Sequence, residues 1–456
     1  MFQHVVCVYP YRQALKKFKF CPPLGLEYIG AVIEPYTRAI DILDLRKEPG
    51  CTRDHLRPET DMVCFSVNWC RETDFLKAEI MSVPSDIFTV LGGCQVTDDP
   101  QGWLANCPNV DAVVRGDGEE IMADLCRGVP LEQIAGLSYR RGNDIFHNPT
   151  RRLGPLNDLF YPNRNLRRYT YKFELANFST GIEFDLMSAS RGCPFNCTFC
   201  SHNRNPWGEK RNWSGRSPES VVEELALIKA PVVGFTDELF TYDMNWVEQI
   251  CDLILARGIR KKYIVNARLE IAKRPDVIQK MERAGFAILL LGIESAQDKT
   301  LRAMRKGFNT SQIRQYFDVL RSRSLLLHGY FILGNIGESV AEMKQMVPFA
   351  RELGLDTLNL TLLRRSPFSG LDELVAQNPD YHITPTGKIY SDHCSIEELK
   401  HLRRNLSKEF YSKRQIFQIL GKLRRIGLHQ FLPQLASQVP KFFSSMQTLW
   451  LAGHQR

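Results

Sequence analysis

Three cysteines fall within eight residues in the segment Ser190-Arg191-Gly192-Cys193-Pro194-Phe195-Asn196-Cys197-Thr198-Phe199-Cys200. Spacing this tight brings sulfur atoms around one metal centre. Thiolates are soft ligands that suit an iron–sulfur cluster or zinc, and no nearby fourth cysteine completes a tetrahedral set. His202 is the nearest other ligand, so a zinc site closed by His202 stands beside a cluster with one open iron. An open coordination site is what binding of a substrate or cofactor requires, so the missing ligand points to chemistry.

Other chemistry-bearing residues follow at intervals. Asp237 sits in Phe235-Thr236-Asp237-Glu238-Leu239-Phe240, and Glu294 in Gly292-Ile293-Glu294-Ser295 after an apolar run. Asp and Thr also cap helices, and Asp243 ahead of Trp246 reads more naturally as a cap than Asp237 does. Arg268 and Lys306 add cations, although basic residues also gather at helix C-termini to complement the dipole. Glycines punctuate strand ends: Gly92-Gly93, Gly116-Asp117-Gly118-Glu119 and Gly334. They read either as plain turns or as places where backbone meets a ligand closely.

Elements must hold these residues in place. Residues 1–145 alternate short β-rich runs with amphipathic helical stretches, the pattern of an open, mostly parallel sheet. The expected strands are Val5 to Tyr9, Ala39 to Leu43, Met62 to Val67, Phe88 to Leu91 and Ala112 to Arg115. Gly92-Gly93 and Gly116 then lie at carboxyl ends of strands, where open α/β sheets bind ligands. Residues 146–180 lack clean periodicity and read as a linker. Over 181–385 a second α/β unit is expected, with strands ending near Ser190 and at Val232 to Phe235, Tyr263 to Asn266, Ile288 to Gly292, Leu326 to Leu333 and Thr357 to Leu362. Six strands with right-handed crossovers make a partial (β/α)6 barrel. Residues 386–456 read as a helical C-terminal region.

Composition narrows the class. A chain of 456 residues that is 44% hydrophobic can bury a sizeable core. Its net charge of +8 is spread among acids for most of its length, too mild to imply nucleic acid. The N-terminus lacks the marks of a signal peptide, and no run is long enough to cross a bilayer, so a cytoplasmic protein is expected. Ten of the thirteen cysteines are scattered, which suits reduced thiols; Cys7, Cys64, Cys70, Cys94 and Cys251 read as small buried hydrophobes.

The cysteine spacing, with an aromatic residue, Phe199, before the last cysteine, resembles the radical S-adenosylmethionine (SAM) superfamily. The resemblance implies a [4Fe–4S] cluster on Cys193, Cys197 and Cys200, with SAM chelating the open iron. An electron, from a donor such as flavodoxin or ferredoxin, cleaves SAM to methionine and a 5′-deoxyadenosyl radical that takes hydrogen from substrate. It further implies that Asp237 binds the SAM amino group, Glu294 the ribose hydroxyls and Lys306 the carboxylate. Arg268 matches a family position beyond the third strand, and the segment through Gly334 one that packs against adenine.

The glycine loops ahead of the barrel resemble the cobalamin-binding subfamily. The fold class expected is thus α/β: a Rossmann-like domain of the cobalamin-binding type, a partial radical SAM barrel and a helical tail. Cobalamin near Gly92, Gly93 and Gly116 would make the reaction a C-methylation, although no D-x-H-x-x-G occurs to supply a histidine beneath cobalt. Alternatives are anaerobic ring formation of the cyclase kind, a methylthiotransferase using Cys7, Cys64 and Cys94 for a second cluster, and a non-enzymatic cluster or corrinoid sensor. The substrate is an unidentified small molecule or lipid. Residues 413–450 mix Lys and Arg with Phe, Leu, Ile and Trp, which suits either a helix capping the barrel or peripheral contact with the inner face of a membrane.

Overall fold

The computed structural model describes residues 2–12, 19–69, 71–152, 154, 156, 160–175, 178–201 and 210–428. The chain divides into two compact units. One comprises Met1–Thr170, Arg191–Gly215 and Arg364–Ile389, the other Tyr171–Ser190, Arg216–Leu363 and Tyr390–Arg456. Where the sequence reading drew contiguous segments, both units are discontinuous, and the cysteines fall in the first.

The first unit is built on a seven-stranded sheet of β1 (Phe2–Tyr9), β2 (Thr37–Asp44), β3 (Thr60–Ser66), β4 (Phe88–Gly92), β5 (Ala112–Val114), β6 (Leu137–Arg141) and β7 (Asp144–His147). The order is β2-β1-β3-β4-β5-β6-β7. The first five strands run parallel and the last two pair antiparallel. Parallel strands are covered on both faces and so read as continuous apolar runs. Accordingly Val5, Val6, Cys7 and Val8 are all buried, with α1 (Leu24–Ile33) and α5 (Glu119–Arg127) packed together on one face. The order reverses between β1 and β3, making a topological switch point whose crevice lies outside the strands' carboxyl ends.

The second unit holds β8 (Lys172–Leu175), β9 (Phe178–Met187), β12 (Val232–Phe235), β13 (Lys262–Ala267), β14 (Phe286–Glu294), β15 (Leu326–Leu333) and β16 (Thr357–Leu362). Two-residue strands β10 (Ser190–Arg191) and β11 (Ser214–Gly215) flank the cysteines in sequence. The sheet runs β16-β15-β14-β13-β12-β9-β8, six parallel strands with β8 antiparallel at the edge. Six parallel strands are what the sequence implied; β8 and the start of β9 lie in residues 146–180, read there as linker.

Local chemistry fixes the crossover helices. α6 (Pro218–Leu227) starts with Pro218 at its first turn and Ser217 capping Ser220 N. α7 (Met244–Ala256) is capped by Asp243, which accepts from the amides of Asn245 and Trp246, as the sequence suggested. Within the region expected to be helical, the described residues form two helices, α14 (Ile396–Phe410) and α15 (Lys413–Arg425), divided where Ser412 caps the second.

Candidate active site

The cysteine segment is shaped by its own backbone and held by two arginines. Gly192 adopts φ +85°, and the place of a β-carbon there is already taken by the backbone oxygen of Asn212. Only glycine allows that approach. Cys193 N donates to Arg211 O at 3.2 Å, and Cys200 N to Cys197 O at 3.2 Å, curling the loop. All three thiols are half-buried and free of disulfides, and Phe199 is half-buried among them. Among the described residues no three ligating side chains are gathered closely enough to hold an ion as they stand. The donor set itself fits the group: three soft thiols on one short loop, with no fourth among their neighbours in sequence. His202 lies outside the described residues.

Arg191 and Arg211, one on each side of the cysteines, converge on Asp117. Arg191 donates at 3.0 Å, and Arg211 at 3.0 and 2.8 Å, while Arg191 also reaches Glu119 at 2.5 Å. Burial works to raise the Asp117 carboxyl, but the two guanidiniums hold it below the usual range. Asp117 and Glu119 follow β5, so the acidic loop of the first sheet is the anchor of the cysteine segment. The sequence had marked that loop only for its glycines.

Those glycines separate into different roles. Gly93 has φ +115°, and an added β-carbon would lie 2.5 Å from Val67 O, so it is a turn glycine. Gly92 ends β4, and among the described residues the Val114 β-carbon, 3.9 Å away, is what lies near the place of a side chain, leaving bare backbone at a strand's carboxyl end. Gly116, at φ +90°, takes its amide to Thr97 Oγ1 at 3.3 Å. Across the switch point, the buried Tyr11 hydroxyl accepts from the amides of Asn68 and Trp69 at 2.8 and 2.6 Å, tying the end of β1 to that of β3. Sequence reasoning missed Tyr11 because a tyrosine just past a strand carries no motif.

The cysteines elsewhere bear on the second-cluster alternative. Cys7 and Cys64 are buried register partners on β1 and β3, and the hydrogen bond between them, with burial, pushes the Cys64 thiol well up. Cys94 is exposed, at the start of α3 (Cys94–Asp98), contrary to its reading as a buried hydrophobe; it follows the Gly93 turn, where a helix end faces outward. The three do not share an environment. Cys251 is buried as expected, and Cys70 lies outside the described residues.

In the second unit Asp237, Arg268 and Glu294 lie at carboxyl ends of strands, and Lys306 follows the short helix over Asp298–Ala303. Asp237 follows β12 and is wholly buried. Its carboxylate accepts from Ser190 Oγ at 2.5 Å and Ala189 N at 3.1 Å. Burial pushes its pKa up to about 7, against the lowering effect of those bonds. Both oxygens therefore already secure the stretch after β9; the half-buried residue beside it is Glu238.

Glu294 ends β14 at a register shift and adopts φ +74°, uncommon for a residue with a side chain. Its Oε1 accepts from Lys306 Nζ at 3.2 Å, both side chains being buried. Arg268, after β13, grips Glu270 and donates to Lys306 O at 2.5 Å, with its guanidinium over the Phe308 ring. The structure thus brings Arg268, Glu294 and Lys306 together. Gly334 adopts φ +77°, and a β-carbon added there would lie 3.1 Å from Leu399 of α14, so its smallness serves helix packing on that side. Past β15 lies a further buried acid, Glu338, which no sequence motif marks. Glu338 accepts from Ser295 Oγ at 3.1 Å and Asn335 Nδ2 at 3.0 Å, and burial raises it to about 7.

Comparison with known proteins agrees with this layout. Residues 187–350 match the model described as the Radical SAM superfamily. An uncharacterized methyltransferase of Pyrococcus horikoshii is 28% identical over 396 residues, covering 83% of this chain and 84% of that one. An anaerobic magnesium-protoporphyrin IX monomethyl ester cyclase of Cereibacter sphaeroides is 27% identical over 64% of this chain and 49% of its own. The hopanoid C-3 methylase of Methylococcus capsulatus is 27% identical over 70% of this chain and 62% of its own. Among solved structures, the radical SAM methyltransferase TsrM of Kitasatospora setae, with cobalamin and a [4Fe–4S] cluster bound, superposes with a TM-score of 0.71. The match has 15% identity and covers 91% and 90% of the two chains. The cobalamin-dependent radical enzyme OxsB gives 0.68 at 15% identity over 93% of this chain and 71% of its own. At such identities these last two likenesses speak to the fold.

Proposed function

We infer that this chain, which belongs to the radical SAM superfamily, transfers a methyl group from SAM to an unactivated carbon with the help of a corrinoid. Superfamily membership brings with it a [4Fe–4S] cluster and SAM as cofactors. When bound, the cluster supplies the electron that splits SAM, and a corrinoid would supply a methyl carrier. Cys193, Cys197 and Cys200 would hold the cluster. Glu294 would accept from the ribose hydroxyls, and Lys306 and Arg268 would offer positive charge to the SAM carboxylate. The corrinoid would lie over the carboxyl ends of β1 and β3–β5, where Gly92 leaves the backbone bare.

One observation carries the methylation reading. Asp117 fastens the cysteine segment, through Arg191 and Arg211, to the carboxyl-end loop of a sheet ordered 2-1-3-4-5, so the cluster ligands and a corrinoid-type sheet share one compact unit. The methyltransferase named among its relatives, aligned along most of both chains, supports it further. The cyclase reading rests on the 27% identity to the Cereibacter enzyme, of which this chain spans 49%. We place the enzyme in the cytoplasm with a flavodoxin or ferredoxin as electron donor and a small-molecule or lipid substrate.

The test is corrinoid content. Protein produced with cobalamin and purified without oxygen should carry about one corrinoid beside about four irons per chain. Adding SAM and a one-electron reductant should produce the absorption of methylcobalamin. Full iron loading with no corrinoid would remove methylation by this route and leave ring chemistry.

A further inference from the structure

α15 has two faces, and the inner one is fixed by the fold. On the inner face, Gln415 Nε2 donates to Leu355 O and Asp356 O at 2.9 and 2.8 Å, and Lys422 Nζ to Asp356 at 2.7 Å. Ile426 joins Ala287 and Leu326 in a small apolar cluster with Leu423. These contacts fix the helix's rotation. The opposite stripe, Lys413, Phe417, Leu420 and Arg424, follows the three- and four-residue spacing of one helix face, with Arg414 and Arg425 beside it, and all six are exposed. Phe417, at 72%, is the most exposed large apolar side chain among the described residues, and Leu420 stands at 37%.

The charge is equally one-sided. From Lys413 to Arg456 the sequence has seven Lys and Arg and no Asp or Glu, and so holds seven of the chain's net +8. Phe431, Leu432, Phe442, Phe443 and Trp450 are interleaved with those cations; their positions lie outside the described residues. A charge run kept only for solvation has no use for exposed Phe and Leu at its centre. Cations flanking apolar side chains on one helix face suit the boundary between anionic headgroups and acyl chains, where apolar burial and electrostatic attraction add.

We propose that α15 docks the protein on an anionic lipid surface, with Phe417 and Leu420 entering the headgroup boundary and Lys413, Arg414, Arg424 and Arg425 meeting its phosphates. This goes beyond the methylation reading and stands whether or not that reading does. A nucleic acid would meet the same cations but gives no role to Phe417 and Leu420 on a helix already locked by its other face.

Vesicle flotation of the full-length protein tests this. With phosphatidylglycerol-rich vesicles in low salt the protein should float with the lipid. It should stay behind with pure phosphatidylcholine, and be released as salt shortens the reach of the charges. The double substitution Phe417→Ser, Leu420→Ser changes only exposed side chains and should weaken flotation at least about tenfold, with iron content and melting temperature unchanged. Failure of the unaltered protein to float with anionic vesicles overturns the proposal. So does equal flotation of the double variant, or binding to an oligonucleotide that prevents flotation.

Discussion

Lys306 Nζ donates to Glu294 Oε1 at 3.2 Å, and this buried pair fills the space where a side chain on Gly292 would stand. A β-carbon there would lie 2.6 Å from the carboxylate and 3.2 Å from the ammonium. The glycine of Gly292-Ile293-Glu294-Ser295 therefore leaves room for an ion pair whose carboxylate is aimed by a positive φ. Gly292→Ala should weaken SAM binding about tenfold while iron content stays full. Calorimetric titration of SAM into reconstituted protein reads it; unchanged affinity would separate the pair from the cofactor.

Asp117 ties down both flanks of the cysteine segment, so its loss should loosen the loop before the sheet. Asp117→Ala is expected to lower iron retained per chain by about half or more, and Arg211→Ala added to it should do little further harm, since the two act through one contact. Iron and sulfide assays on the two variants and the double check this. Additive losses would mean that Arg211 has a separate task.

Asp237 titrates near 7 instead of the usual 3.8 because it is buried. A folded-state pKa raised above the unfolded one favours folding while the group is protonated, and that contribution is lost as pH rises from about 4 to about 7. The amount is on the order of 4 kcal/mol for a fully buried carboxyl. Glu338, raised to about 7, acts in the same direction. Asp237→Asn keeps an oxygen for Ala189 N and should flatten the fall in apoprotein melting temperature between pH 4 and 7. A slope equal to that of the unaltered protein would contradict the assignment.

The ion pair of Lys422 with Asp356 locks α15 beneath β15 and β16, where Asp356 also accepts from Leu327 N at 2.7 Å. Lys422→Met leaves a buried carboxylate unpaired and should cost about 3–5 kcal/mol. Adding Asp356→Asn removes that charge yet keeps an acceptor for Leu327, and should restore most of the loss. Thermal unfolding of both variants measures it.

What the sequence made legible follows from how each feature is encoded. Val232–Phe235 and Leu326–Leu333 were readable to the residue, because buried parallel strands are short apolar runs. The strand over residues 286–294 extends further at both ends than expected, since Glu294 looks like a loop residue until a bulge and positive φ place it at the strand's edge. The spacing of Cys193, Cys197 and Cys200 marked a soft-metal segment, and only the resemblance turned it into an expected iron–sulfur site. Their grouping with the first sheet was not legible, because Asp117 lies 74 residues before Arg191 and the salt bridge between them leaves no periodic mark. Asp237 shows the same limit from the other side: its motif was visible, but its burial against Ser190 and Ala189 is a property of packing.

The most direct test of the account is iron and sulfide analysis, coupled to reductive SAM cleavage, on anaerobically purified protein and its Cys197→Ala variant. The account predicts about four irons and four sulfides per chain and 5′-deoxyadenosine formation in the unaltered protein, with all three lost in the variant. Full cleavage by Cys197→Ala, or an unaltered protein that binds zinc in place of iron, would contradict it.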